Sequence, residues 1–148
     1  MNRREVREAV FKLLFISQFN DPSDMPEQLQ LYFAEDGVLA EDMGEGRTAS
    51  QADEDKVRQK VENIMEKIPD IDSLLGEVSS GWKTARMSKV DLSILRLAVY
   101  ELLFDEEIPV KVAINEAVEL CKRFGGEDSS SFVNGILGKL VRLKGIQT

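Results

Sequence analysis

The sequence predicts an all-α fold, a helical bundle of about six to seven helices. Two observations carry that reading. Apolar residues recur at helical spacing along most of the chain, and no convincing run alternates with the period of two that a strand requires. The chain has 148 residues, which suits one domain of ordinary size, and no internal repeat divides it. It is 43% hydrophobic, enough for a packed core, and 31% charged, enough for a well-solvated surface.

The first helix is read over residues 3 to 19, "RREVREAVFKLLFISQF", where Val6, Val10, Leu13 and Leu14 fall within an arc of ~100°. "NDPSDMP", residues 20 to 26, breaks it with Asp, Ser and two prolines. Residues 27 to 34 add a short helix through Leu29, Leu31, Tyr32 and Phe33. Residues 35 to 53 are acidic, glycine-containing and weakly periodic, and are expected to form a long, mobile connection. A helix resumes over about 53 to 67, with Val57, Val61, Ile64, Met65 and Ile68 on one side, and Pro69 is expected to end it.

"DIDSLLGEVSSGW", residues 70 to 82, reads as another short helix with Ile71, Leu74, Leu75 and Val78 inward. In "MSKVDLSILRLAVYELLF", Ser88 and Asp91 have the spacing of a capping box. Val90, Ile94, Leu97, Ala98 and Leu102 follow as the stripe of a helix apolar enough to be central. Pro109 then stands where a first helical turn tolerates it. Val112, Ala113, Ala117, Leu120 and Phe124 keep helical spacing until Gly125 or Gly126 stops the chain. The last helix is expected from about 129 to 143.

Composition removes whole classes of chemistry. There is no histidine, so Ser–His and Cys–His nucleophilic sites and His-ligated zinc are excluded. The single cysteine, Cys121, cannot form an internal disulfide; mid-helix and without a histidine, it reads as a small packing residue. "GGEDSSS" has neither the Walker lysine nor dinucleotide-binding glycine spacing. Asn115, Glu116 and Glu119 share a helical side and read as a solvated face or as hydrogen-bond partners of neighbouring helix ends. No cofactor is implied. No apolar run approaches the ~18 residues of a membrane span, and the N-terminus lacks signal-peptide anatomy, so a soluble intracellular protein is expected.

Net charge is −8, so any nucleic-acid binding must use a local basic patch. Arg3, Arg4 and Arg7 supply a candidate, since their i,i+3 and i,i+4 spacing sets them on one face. Lys12 lies further along. Cations in a helix's first turns oppose its macrodipole, a local penalty that Glu5 and Glu8 partly offset. The face reads either as a solvated surface or as a phosphate-binding patch. Phe11 and Phe15 lie near Arg4 in helical phase and read as core, or as rings on which bases could stack.

Phe132 is the second candidate. With Val133, Ile136, Leu137 and Leu140 at the centre of the last buried arc, Phe132 lies ~80–100° to one side, in phase with Lys139 and Leu143. It either seals the edge of the core or offers an aromatic ring for a base to stack on. Asp128 or Ser129 can cap this helix, and Gly135 and Gly138 leave one face nearly bare, open to another backbone.

Beyond these physical readings, "DLSILRLAVYELLF", "IPVKVAINEAVELCKRFG" and "EDSSSFVNGILGKL", in that order, resemble the signature segments of the NusB transcription antitermination factors. "RREVREAVFKLLF" resembles that family's arginine-rich opening. The likeness covers about residues 2 to 19 and 82 to 142, and leaves 35 to 53 unmatched. It implies two packed helical subdomains, about 1 to 81 and 82 to 148, and a non-enzymatic, cytoplasmic role in bacterial transcription. The implied partners are boxA RNA of ribosomal-operon leaders, the small-subunit ribosomal protein NusE and, indirectly, other Nus factors and RNA polymerase. Carried over by position, RNA-binding residues fall on Arg3, Arg4, Arg7, Asp128 and Phe132, and a NusE contact falls on Asp91. Two competing readings are an accessory domain of an RNA methyltransferase system and a homodimer that buries the N-terminal face.

Overall fold

The computed structural model describes residues 1–44, 46–79 and 84–147, with the side chain of residue 85 set aside. Among them, the chain forms seven α-helices and two 3-10 turns and no strand. It divides into two compact units, Met1–Asn63 and Ile64–Thr148. The subdomain boundary expected at 81/82 lies outside the described residues.

In the first unit, α1 (Arg3–Ser17) starts at Asn2, which forms a reciprocal cap with Glu5. The Glu5 amide donates to Asn2 Oδ1 at 2.8 Å, and the Asn2 amide donates to Glu5 Oε1 at 3.0 Å. Two of the helix's orphan donors are thereby satisfied. Val6, Ala9, Val10, Leu13 and Leu14 are buried along one face, as the spacing requires, with Phe11 beside them. The expected break contains a 3-10 turn, Pro22–Asp24, and α2 (Met25–Phe33) follows at once, with Pro26 in its first turn. Met25, Leu29 and Tyr32 turn inward, while Leu31 stays exposed.

The acidic stretch departs from expectation. It carries a short helix, α3 (Val38–Met43), which packs on α2 and buries Leu39. The turn into it requires a glycine: a Cβ at Gly37 would collide with the Leu31 carbonyl oxygen and lie 2.8 Å from that of Tyr32. Weak periodicity concealed this helix because six residues span fewer than two turns.

The next helix, α4 (Gln51–Val78), is a second correction. It runs unbroken through Pro69 for 28 residues. Proline removes one backbone hydrogen bond and crowds the preceding turn, but the apolar spacing does not stop there. Val57, Val61, Ile64, Ile71, Leu75 and Val78 are all buried and continue one stripe on both sides of an exposed Pro69. Burial along that stripe, at ~1.5–3 kcal/mol per large side chain, outweighs a local defect of ~3 kcal/mol. The expected helix over 70 to 82 is thus the end of α4, with 80 to 82 outside the described residues.

In the second unit, α5 (Lys89–Phe104), α6 (Val110–Phe124) and α7 (Ser129–Lys144) pack pairwise against one another. Helix α5 is central, as its composition suggests: Leu92, Ile94, Leu95, Leu97, Ala98 and Val99 are buried around most of its circumference. Arg96 ties it to α4 through a forked pair with Asp72, at 3.0 and 2.7 Å. The stripe of α6 is Ala113, Ala117, Leu120 and Cys121. Val112, grouped from sequence with that spacing, is 40% exposed, because it stands one residue ahead of the stripe and so ~100° around the helix. Gly125 ends α6 in extended, not left-handed, backbone. Helix α7 buries Val133, Ile136, Leu137 and Leu140 as expected.

Candidate nucleic-acid interface

The cationic start of α1 is built by its cap. Asn2 and Glu5 fix the first turn, and Arg3 and Arg4 project from it, both exposed. Arg7, one turn on, is only 6% exposed and belongs to the helix's buried side. The three arginines read from the sequence are therefore not equivalent: two meet solvent, and one is covered. Lys12 forms ion pairs with Glu8 of its own helix, at 3.5 Å, and with Asp42 of α3. Phe11 is buried, and Phe15 makes an edge contact with Phe19.

Sequence reasoning missed what the 35 to 53 stretch does to this surface. Within the first unit it is fastened to α1 and to the chain's first residue at three points. The Met1 amino group lies 2.9 Å from Asp53, Lys12 pairs with Asp42, and the Arg47 guanidinium grips Glu5. That grip is a fork, with Nη1 2.8 Å and Nη2 3.2 Å from the two carboxylate oxygens. The Arg47 guanidinium and the Asn2 amide hold the Glu5 carboxyl below its ordinary range. Asp53 is held low too, first by the Met1 amino group. One signal was available: Arg47 is the only cation between residues 35 and 53.

In the second unit, the candidate residues gather where α5 and α7 begin. Ser88 caps α5, accepting a hydrogen bond from the Asp91 amide at 3.0 Å. The Asp91 carboxylate does not close the reciprocal half of the box; it accepts the hydroxyl of Ser129, the first residue of α7. Ser129 also hydrogen-bonds Cys121, whose thiol is pushed up chiefly by burial. A Cβ at Gly125 would strike Ser129, so the glycine leaves room for this link. Asp128 is exposed and caps α7 without a side-chain hydrogen bond, so the cap expected of Asp128 or Ser129 is made by neither side chain. Phe132, on the first turn of α7, is half-buried, the rim position its phase predicts. Gly135 faces open space, and no backbone approaches it among the described residues.

Among the described residues, no group of three Cys, Asp or Glu side chains is placed to hold a metal ion, and no helix is long and apolar enough to cross a membrane.

Comparison with known proteins accounts for these segments together. The model of the NusB family matches residues 4–142. The chain belongs to the NusB family. The transcription antitermination protein NusB of Lachnoclostridium phytofermentans is 49% identical over 141 residues, which cover 95% of this chain and 99% of the relative. Among solved structures, T. maritima NusB aligns with a TM-score of 0.76 at 37% identity, over 96% of this chain and 92% of that one. A structure of the antitermination factors NusB and NusE in complex with dsRNA shares the fold, with a TM-score of 0.73 at 20% identity, over 95% and 96% of the two chains. NusB membership makes this protein a transcription antitermination factor and not an enzyme. The match runs through the acidic stretch that the sequence segments alone left unmatched.

Proposed function

We propose that this protein binds the boxA element of nascent ribosomal-operon and related leader RNA jointly with NusE. In that state it helps assemble a termination-resistant RNA polymerase with the other Nus factors in the cytoplasm. The observation that carries the reading is the family match over residues 4–142, joined to a solved NusB, seen with NusE and dsRNA, whose fold this chain shares.

The chemistry of the exposed residues supports it. Arg3 and Arg4 offer guanidinium forks to phosphates beside the positive end of α1. Arg7, mostly covered, contributes its charge from behind them. Phe132 offers a ring face on which an unstacked base can stack, beside Asp128. Asp91 contacts NusE at the start of α5. A chain of net charge −8 attracts RNA poorly at long range, and a ribosomal protein supplies the missing cationic surface.

The test is a titration of labelled boxA and scrambled RNA with this protein, with and without NusE, over a range of salt. Affinity is expected to favour boxA, to rise with NusE, and to fall steeply with salt because the contacts are ionic. Equal binding of both RNAs, or an affinity indifferent to salt, would overturn the reading.

A further inference from the structure

Glu5 has two incompatible duties at the start of α1. Its carboxylate closes the reciprocal cap on Asn2, which fixes the helix start on which Arg3 and Arg4 stand. It is also the acid of the first turn, adjacent in sequence to the two exposed arginines. Left bare, it would repel an incoming phosphate across the few ångströms that separate neighbouring side chains of one turn.

The fork from Arg47 reconciles the two. One oxygen, Oε1, serves both the Asn2 amide and Arg47 Nη2, while Oε2 takes Nη1. The cap is kept and the charge is cancelled. Arg47 remains half-exposed, with 53% of its side chain accessible against 24% for Glu5, so the guanidinium covers the acid on the solvent side. Lys12, further along α1, pairs with Glu8 and Asp42.

We propose that Arg47 is a positioning residue for RNA: it masks the Glu5 carboxylate, so that the acid that caps α1 does not repel the phosphates that meet Arg3 and Arg4. The acidic stretch from 35 to 53 thereby acts as a carrier that delivers one cation to the arginine face. This inference rests on the RNA-binding reading above.

The experiment is a double-mutant cycle on the full chain with NusE and labelled boxA RNA, using Arg47→Ala, Glu5→Gln and the pair. Gln at position 5 preserves the cap, since its side-chain oxygen still accepts from the Asn2 amide. Arg47→Ala is expected to weaken boxA binding ~3–10-fold at low salt, the scale of one uncompensated nearby charge. Adding Glu5→Gln is expected to restore affinity to near that of the unaltered protein. Circular dichroism on each variant checks that the helical content is kept. An unchanged affinity for Arg47→Ala overturns the inference, and so does a double variant as weak as Arg47→Ala alone, since Arg47 would then act by some route other than Glu5. If the unaltered protein itself fails to prefer boxA over scrambled RNA, the underlying reading fails instead.

Discussion

Phe132 is the residue whose two roles pull hardest against each other. It stands on the first turn of α7, half-buried, at the margin of a stripe whose centre is Val133, Ile136, Leu137 and Leu140. A ring in that position can seal the core or lend a face to a base. The two roles differ in what truncation costs. Phe132→Ala is expected to weaken boxA binding by ~1–3 kcal/mol, the worth of one stacked base. Because only part of the ring is covered, the loss of stability should be well below the ~3–5 kcal/mol of a fully buried phenylalanine. Parallel RNA titration and urea unfolding separate the outcomes, and unfolding without a specific loss of RNA affinity would return Phe132 to the core. The same scale shows what spacing could and could not reveal about the arginines. Helical phase set Arg3, Arg4 and Arg7 on one face. It could not tell that the inward arc beginning at Val6 is wide enough to take in Arg7. The Asp91–Ser129 link was hidden for another reason: its partners are 38 residues apart and meet only when α5 and α7 pack.

At the scale of elements, periodicity recovered what is long and amphipathic. Helices α1, α2, α6 and α7 start and stop within a few residues of the reading from sequence, because each buries one continuous stripe. The failures have physical causes. Pro69 obeyed the local rule that proline disfavours a helix interior, and a tertiary stripe running from Val57 to Val78 overruled it. Its cost should still be measurable. Pro69→Ala is expected to raise the unfolding free energy by ~1–3 kcal/mol, by restoring a backbone hydrogen bond at an exposed site. Urea unfolding midpoints check this, and a destabilised variant would show that the proline shapes α4 in a way the stripe needs. The acidic stretch failed for the opposite reason. Its periodicity is too weak to predict order; the order comes from Leu39 burying against its neighbours and from charges that pair with α1 across 30 and 42 positions. Glu5 and Asp53 bind protons less readily folded than unfolded. Their pairs therefore contribute above the ordinary carboxylate range and are lost as pH falls below about 4. Both groups lie near the surface, so the loss should loosen the stretch and not unfold the chain.

For the molecule as a whole, the proposed RNA binding by a chain of net charge −8 requires that the cations be concentrated and the nearby acids neutralised. The sequence supplies the first condition openly, in "NRREVRE". The second is met by the fold, which spends Arg47 on Glu5. The all-α class was legible from periodicity and the absence of alternation, and the family from the order of four segments. How the middle of the chain serves the first helix was not legible in either.

Arg3 and Arg4 are proposed to capture the transcript. The most direct test is boxA affinity and salt dependence, with NusE present, for the protein carrying Arg3→Glu and Arg4→Glu together. Acids suit a helix's first turn, and urea unfolding of the variant beside the titration separates a loss of binding from a loss of fold. Affinity is expected to fall by at least ~10-fold at ~0.1 M salt, and the salt slope to shrink by about 1.4, the share of two phosphate contacts on a single strand. Unchanged affinity with an unchanged slope would contradict the proposal.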